Sequence, residues 1–425
     1  MNDTIAACAT AWGHAAIAVV RVSGPGACEV CARVVGTLPP ARQAAVRAFR
    51  DEAGVFDEGV VTVFPGPRSY TGEDVVELSG HGNPLLVTRL LRALGVRPAR
   101  PGEFTRRAFL AGRMDLVRAE AVLATIEARS EAGVELARAG LDGRLVAAIE
   151  GLRSDLVDVC AELEAVLDYP GEDLLVGSDA VLAQRLEAVA GEAARLADSW
   201  RGARIAVEGA RVVLAGPVNA GKSSLFNTLL GRPRAIVSPQ AGTTRDAVEA
   251  PLQLRDARLT LVDTAGDRDA VDPIEAEGVA LARSEAAGAD LVLRCVPPGQ
   301  APPPARAGEL RVGTLCDLGP PPAGVLAVSS RTGEGMEALR MAMLDALRGE
   351  APGGAGVALA SARQAELLTR VATELREAAA ALPHAGAAVA VELGYSSLEA
   401  LAELSGSTVR EAVLDRLFAR FCIGK

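Results

Sequence analysis

The segment 209–231 constrains the fold more than any other part of the chain. Gly216-Pro217-Val218-Asn219-Ala220-Gly221-Lys222-Ser223 fits the spacing GxxxxGK[ST]. It follows the apolar run Val212–Ala215 and precedes Ser224–Gly231, which reads as a helix closed by glycine. A strand that turns through glycines into a helix N-terminus aims backbone N–H groups at one point, backed by the positive end of the helix dipole. Such a loop asks for a parallel sheet with crossover helices around it. Only two of the 44 basic residues are lysines, Lys222 and Lys425. A chain that uses Arg elsewhere keeps an ammonium at 222, where a compact charge suits the β- and γ-phosphates of a nucleotide. Ser223 is placed to hold Mg²⁺.

Two further loops follow in order. Gly242-Thr243-Thr244-Arg245-Asp246 offers a hydroxyl for Mg²⁺, assigned to Thr244. The alternating run Arg258–Asp263 then ends in Thr264-Ala265-Gly266, an acid that can hold the metal through water and a glycine N–H that can sense the γ-phosphate. Together the three loops imply a switch-type GTPase. Its base-recognition stretch departs from the usual Asn-Lys-x-Asp. After an expected strand at Glu309–Leu315 the chain reads Thr314-Leu315-Cys316-Asp317, so only the acid remains to pair with guanine N1 and the exocyclic amine. Val328-Ser329-Ser330-Arg331-Thr332-Gly333 supplies a loop over the base. A GTP preference with weakened affinity is therefore expected. Asp267 stands where many switch GTPases carry a water-orienting Gln, which leaves Arg245, Arg268 and Glu275 as catalytic candidates.

Length and composition organise the rest. A chain of 425 residues suggests about three domains. At 49% hydrophobic residues it can bury several cores, and a net charge of −10 excludes a polycation that coats nucleic acid. No run approaches the length of a membrane span and no export signal is legible at the start, so a cytoplasmic location is expected. The seven cysteines are odd in number and scattered, and Cys28-x-x-Cys31 is read as packing rather than metal or redox chemistry. Residues 1–119 mix short strands (Ile17–Val22, Val60–Phe64, Val75–Leu78) with turns, among them Gly80–Pro84, as an α+β domain. Residues 120–208 are helical, with Leu145, Ile149, Leu152, Leu156, Val159 and Leu163 on one face and a second helix at about Ser178–Trp200. Residues 209–350 form the inserted α/β domain, with a proline-rich surface loop at Val296–Pro304. Helix returns over 351–425, so the α/β domain is nested in a discontinuous helical domain.

The order of these motifs, with Asn219 in the phosphate loop and a terminal Phe421-Cys422-Ile423-Gly424-Lys425, resembles the MnmE/TrmE family of tRNA-modification GTPases. The likeness reaches the N-terminus through Val20–Gly24, Phe64–Pro67, Tyr70-Thr71-Gly72-Glu73-Asp74, Glu77–Gly82 and Arg100–Phe104. It implies an N-terminal folate-binding and dimerisation domain, a discontinuous helical domain and an inserted Ras-like G domain. It further implies a homodimer that joins the flavoprotein MnmG as a heterotetramer. The pair would place an aminomethyl-type or carboxymethylaminomethyl group on C5 of the wobble uridine of certain tRNAs. The one-carbon donor implied is a 5-formyl- or 5,10-methylene-tetrahydrofolate, with contacts carried over to Arg21, Glu77, Arg113 and Lys425. Arg113 stands where the family commonly has Lys. Cys422, in the tail that the resemblance directs to the folate site, is a candidate for chemistry there.

The resemblance also implies a K⁺-dependent GTPase, with Asn219, Ser238, Gln240 and Thr243 as ligands of an ion that does the work of an arginine finger. Glu275, twelve positions after Asp263, aligns with the family's water-orienting acid and joins Lys222 and Arg245 as the catalytic set. The nucleotide contacts are Asn219-Ala220-Gly221-Lys222-Ser223-Ser224, Ser238-Pro239-Gln240-Ala241-Gly242-Thr243-Thr244, Asp263-Thr264-Ala265-Gly266, Asp317 and Ser329-Ser330-Arg331. Residues 89–118 carry eight arginines against Glu103 and Asp115, the best candidate surface for tRNA phosphates. Two other readings compete: a regulatory switch in ribosome assembly without modification chemistry, and a folate-dependent aminomethyl transferase with a silent G domain.

Overall fold

The computed structural model describes residues 3–169, 176–231, 248–255, 257–263, 287–348 and 359–425. The chain forms two units. One comprises Met1–Leu123, Val146–Ala190 and Arg370–Lys425, the other Ala124–Leu145 and Gly191–Thr369.

The first unit begins with β1 (Ile5–Cys8), β2 (Ala15–Ser23), α1 (Ala27–Val35), β3 (Ala45–Asp51), β4 (Gly54–Phe64), β5 (Val75–Gly82), α2 (Pro84–Leu94), β6 (Arg97–Pro98) and α3 (Glu103–Leu110), followed by the start of α4 (Leu116–Glu127). The strands make one sheet in the order β3-β4-β5-β2-β1-β6, antiparallel except for the β1–β6 pair. Alternation along β2, β4 and β5 sends Val20, Val22, Val61, Val76 and Leu78 to one face, where Val30, Val34, Leu90 and Leu94 of the two amphipathic helices cover them. Cys31 sits fully buried in this core, and burial pushes its thiol up to about 12, which makes it a packing residue at neutral pH.

Two expectations need correction here. Gly80-His81-Gly82-Asn83-Pro84 is not a free turn: it completes β5 and then starts α2. A Cβ on Gly82 would lie 2.4 Å from the carbonyl oxygen of Ala15, so glycine serves close strand approach. Asn83 then caps α2, its Oδ1 accepting from Leu85 N at 2.9 Å, with Pro84 in the first turn. The arginine-rich stretch is also largely engaged in ion pairs within the first unit. Arg89 pairs with Asp51, Arg97 with Asp3 and Glu103, Arg106 with Glu411 and Asp415, and Arg118 with Asp115. Arg107, 3% exposed, holds Asp3, Glu73 and Glu103 together. Among the described residues, Arg92, Arg100 and Arg113 carry no ion pair, so the surface offered to phosphates is much smaller than the charge count implies.

Four helices follow the expected helical pattern: α4, α5 (Glu131–Leu141), α6 (Arg144–Asp168) and α7 (Asp179–Glu208). The stripe Leu145, Ile149, Leu152, Leu156, Val159 and Leu163 is buried throughout α6. The helix α7 runs eight residues past the expected Trp200, because Ala203 and Val207 are buried and Val207 packs with Ala124 and Ala137. Pro170-Gly171 lies outside the described residues.

The second unit holds β7 (Ala210–Ala215), α8 (Lys222–Leu230), β8 (Val248–Leu254), β9 (Ala257–Asp263), β10 (Leu291–Val296), β11 (Glu309–Gly313), β12 (Leu326–Ala327) and α9 (Met336–Arg348). Its sheet has the order β12-β11-β10-β7-β9-β8 and is parallel apart from β8–β9. Val212, Leu214, Leu261, Leu291, Leu293 and Val312 bury both as strand residues and against Leu225, Phe226, Leu339 and Met343 of the helices. The chain then passes through α10 (Ala362–Ala385) into α11 (Ala387–Ser405) and α12 (Glu411–Phe418). In the first unit α12 joins α3 and α4 through Phe109, Leu116, Leu414, Phe418 and Phe421. Among the described residues no helix is long and apolar enough to cross a membrane.

Breaking the Arg107 network has a defined cost. Arg107→Met leaves Glu73 without a cationic partner among the described residues and Asp3 and Glu103 with Arg97 alone, and is expected to lower stability by about 3 kcal/mol in urea unfolding. Acid acts on the same network. Burial works to raise the Glu103 carboxyl, but hydrogen bonds from Arg97, the Arg100 N–H and Arg107 outweigh it and bring it from 4.5 to about 2. A depressed carboxyl stabilises the fold above its unfolded value and stops doing so as pH falls through the folded one. Stability should therefore decline between pH 4.5 and about 2, and Glu103→Gln should flatten that slope in pH-dependent unfolding.

Candidate functional site

The phosphate loop lies between β7, the strand bonded to both β9 and β10, and the first turn of α8. That is the end of a central parallel strand where a helix begins, the usual place for a ligand in an open α/β sheet. Asn219 takes a left-handed backbone (φ 62°), which asparagine tolerates better than most residues. Lys222 is 7% exposed and its Nζ donates to the carbonyls of Gly216 and Pro217 at 2.9 and 2.8 Å. The ammonium therefore crosses the mouth of the loop.

Ser223 Oγ donates to Asp263 Oδ2 at 2.7 Å, joining the first turn of α8 to the last residue of β9. Asp263 Oδ1 is buried and has no hydrogen-bond partner among the described residues. A hydroxyl and a carboxylate with an unsatisfied oxygen form a hard oxygen donor set of the kind Mg²⁺ takes, so these residues fit that ion. Asn219 is exposed and its carboxamide makes no hydrogen bond among the described residues, which leaves a neutral oxygen at the loop mouth.

The base-recognition stretch follows β11. Leu315, at a left-handed φ of 57°, lies over the loop: a Cβ on Gly221 would meet its Cδ2 at 3.2 Å and Thr314 Cβ at 3.8 Å. Asp317 Oδ1 accepts from Ser329 Oγ at 2.7 Å, and its Oδ2 is ion-paired with Arg331 Nε at 2.8 Å. The Ser329 hydroxyl, chiefly, and the Arg331 charge hold the Asp317 carboxyl below its usual range. Thr228 of α8 donates to Ser330 O at 3.3 Å, tying this loop to the phosphate-loop helix. The structure thus joins Ser223 with Asp263, and Asp317 with Ser329 and Arg331. Ser238, Pro239, Gln240, Ala241, Gly242, Thr243, Thr244, Arg245, Thr264, Ala265, Gly266, Asp267, Arg268 and Glu275 lie outside the described residues.

A second cluster occupies the first unit. Arg21 on β2 and Glu77 on β5 are register partners, and Arg21 Nε and Nη2 donate to Glu77 Oε1 at 3.0 and 2.8 Å. Arg21 Nη1 donates to Gly424 O at 3.3 Å, and its guanidinium stands 5.2 Å from the Tyr70 ring centre. Lys425 Nζ lies 5.9 Å from the same ring. Burial, then the Arg21 charge, lowers the Lys425 ammonium below its usual value. The tail is seated firmly: Phe104 N donates to Lys425 O at 3.2 Å, and a Cβ on Gly424 would be 2.4 Å from Cys8 O. Arg21, Glu77 and Lys425 are thus brought together, with Tyr70 and Phe104 as unforeseen neighbours. Tyr70 stood in the Tyr-Thr-Gly-Glu-Asp motif, and its aromatic ring was the signal available. Arg113 is exposed on the chain beyond α3, with its stem beside Gly72, where a Cβ would meet Arg113 Cγ at 3.4 Å. Cys422 is exposed.

Comparison with known proteins matches residues 4–113 to the model of the GTP-binding protein TrmE N-terminus and residues 116–422 to that of the MnmE helical domain. The tRNA modification GTPase MnmE of Myxococcus xanthus is 44% identical over 99% of this chain and 99% of that protein. The same-named protein of Thermus thermophilus is 44% identical over 100% of both. The chain belongs to the MnmE family of tRNA modification GTPases. Among solved structures, the G domain of the T. maritima FeoB iron transporter shares 23% identity over 32% of this chain and 98% of that one, with a TM-score of 0.26.

Within this MnmE-family chain the base stretch departs from Asn-Lys-x-Asp at two positions. Thr314 is 2% exposed and its Oγ1 has no hydrogen-bond partner among the described residues. Thr314→Asn restores a longer amide at this place and is expected to tighten guanine nucleotide binding by roughly three- to tenfold, the worth of one hydrogen bond. Calorimetric titration with GDP checks it, and unchanged affinity would show that position 314 does not reach the base.

Proposed function

We propose that the chain hydrolyses GTP and couples that hydrolysis to modification of the wobble uridine of tRNA in the cytoplasm. The observation that carries the reading is the Ser223–Asp263 hydrogen bond beside the Lys222-crossed loop, with Asp263 Oδ1 buried and unbonded among the described residues. A magnesium ion bound by Ser223 and Thr244, with Asp263 behind it, would neutralise charge on the triphosphate. Lys222 then turns its ammonium from loop carbonyls to phosphate oxygens, an exchange of one set of acceptors for a more charged one. Asn219, with Ser238, Gln240 and Thr243, would hold K⁺. Glu275 orients the attacking water, and Arg245, next to Thr244 in sequence, completes the catalytic set with Lys222. Asp317 reads the base, and Ser329, Ser330 and Arg331 form the loop beside it.

We further propose that Arg21, Glu77 and Lys425 bind a 5-formyl- or 5,10-methylene-tetrahydrofolate. Two cations suit the glutamate tail, a carboxylate can accept from the pterin amino group, and Tyr70 offers a flat apolar face. That cofactor would supply the one-carbon unit of the added aminomethyl group. Arg113 enters this reading from its motif position alone, and Cys422 from the direction in which the tail runs. The functional divisions are taken as 1–119, 120–208, 209–350 and 351–425. The partners are a second copy of the chain and the flavoprotein MnmG, with tRNA engaged mainly through that complex.

Two measurements test this. Turnover of GTP should be faster in K⁺ than in Na⁺, and Asn219→Ala should remove that preference while leaving nucleotide binding largely intact. Equal loss of activity in both salts would count against Asn219 as an ion ligand. Mass spectrometry of tRNA nucleosides from cells lacking the protein should show the wobble modification gone. Its persistence would favour a switch role in ribosome assembly instead.

A further inference from the structure

The base site lacks both the amide and the ammonium that an Asn-Lys-x-Asp stretch provides, yet a cation is present. It comes from the next loop. Arg331 Nε forms an ion pair with Asp317 Oδ2 at 2.8 Å, and its side chain is 73% exposed against 8% for Asp317. Ser329 Oγ donates to the other oxygen, Oδ1, and accepts from the N–H groups of Arg331 and Thr332 at 3.3 and 3.2 Å. An ionised carboxylate offers about four acceptor positions. Ser329 takes one on Oδ1 and the Arg331 guanidinium lies against Oδ2, so each oxygen keeps at least one for a ligand. Guanine presents two donors on one edge, N1–H and the 2-amino group, which matches what is left. Hypoxanthine presents only N1–H.

A second observation points to a ligand at the same place. Thr314 Oγ1 is a buried hydroxyl beside Gly221 and Leu315, without a partner among the described residues. Burying such a group without a partner is costly, and a bound purine beside the loop would relieve that cost. Leu315 keeps the packing over Gly221 but contributes no charge.

Resting on the reading that this chain binds GTP, we propose that Arg331 is the specificity-determining positioning residue of the base site, fixing the Asp317 carboxylate so that its two free acceptor positions meet guanine N1–H and the 2-amino group. It acts through Asp317 and replaces, from the Ser-Ser-Arg loop, the cation missing at position 315. Guanine over hypoxanthine is therefore set by Arg331 together with Ser329.

Calorimetric titration of the full chain with GDP and IDP in saturating Mg²⁺ tests it. The wild type should bind GDP roughly tenfold tighter than IDP, the worth of one hydrogen bond to a charged group. Arg331→Ala should cut that ratio by about threefold or more, with the melting temperature little changed because the side chain is exposed. Arg331→Lys, which keeps a cationic donor, should hold most of the ratio. Leu315→Lys in the Arg331→Ala background should recover GDP affinity. Equal loss for GDP and IDP, or an unchanged ratio, would overturn the proposal, and should Arg331→Ala fail to fold, Arg331→Gln carries the same comparison. A wild-type chain that binds neither nucleotide would instead overturn the GTPase reading itself.

Discussion

A buried ammonium has to be satisfied, and the way Lys222 is satisfied shapes the second unit. At 7% exposure it would be costly without acceptors, and the carbonyls of Gly216 and Pro217 provide them. The loop is thereby held around its own cation, which keeps the N–H groups at the start of α8 turned inward. That geometry depends on β7 being buried on both faces, since a strand free to slide would move the loop with it. Val212, Val213 and Leu214 are fully buried, and pairing to β9 and β10 fixes the register on either side. Asp263 reaches Ser223 because β7 and β9 are in register through Leu214 and Asp263. The apolar strands thus decide where the charged groups meet.

The first unit uses charge differently. Arg107 is buried among three carboxylates, and Arg21 is shared between Glu77, the Gly424 carbonyl and two aromatic rings. In both cases a guanidinium with several donors closes a network that a single-point ammonium would leave partly open. The chain's heavy use of Arg fits this role. Lys425 is the exception: its amine carries no hydrogen bond of its own among the described residues and feels the Arg21 charge nearby. A group in that position is better suited to meeting a ligand than to holding the fold.

Much of this was legible beforehand, and the reason differs by element. The phosphate loop, β7, α8 and β9 were readable because a motif, an apolar run and a glycine stop coincide within a short stretch. The buried stripe of α6 was readable because period alone identifies it. By contrast β1 (Ile-Ala-Ala-Cys) and β3 (Ala-Val-Arg-Ala-Phe-Arg-Asp) lack strong alternation, and their place is set by neighbouring strands rather than by their own residues. Gly80–Pro84 looked like a turn because glycine permits one, although here it permits close strand contact. The arginine-rich stretch misled because a charge count cannot see partners that lie about 300 residues away in sequence, as Glu411 does from Arg106.

The same limit explains the base site. In sequence, Thr314-Leu315-Cys316-Asp317 reads as a motif with two of its three working residues lost. In space, Asp317 is fixed by two side chains from a loop 12 and 14 residues further on, and Leu315 still covers Gly221. The acid alone could swing among rotamers, and a swinging carboxylate discriminates poorly between bases that differ by one donor. Pinning both oxygens reduces that freedom before any nucleotide arrives, so less ordering is left for binding to supply. Discrimination therefore depends less on how many residues of a motif survive than on whether the surviving one is held still.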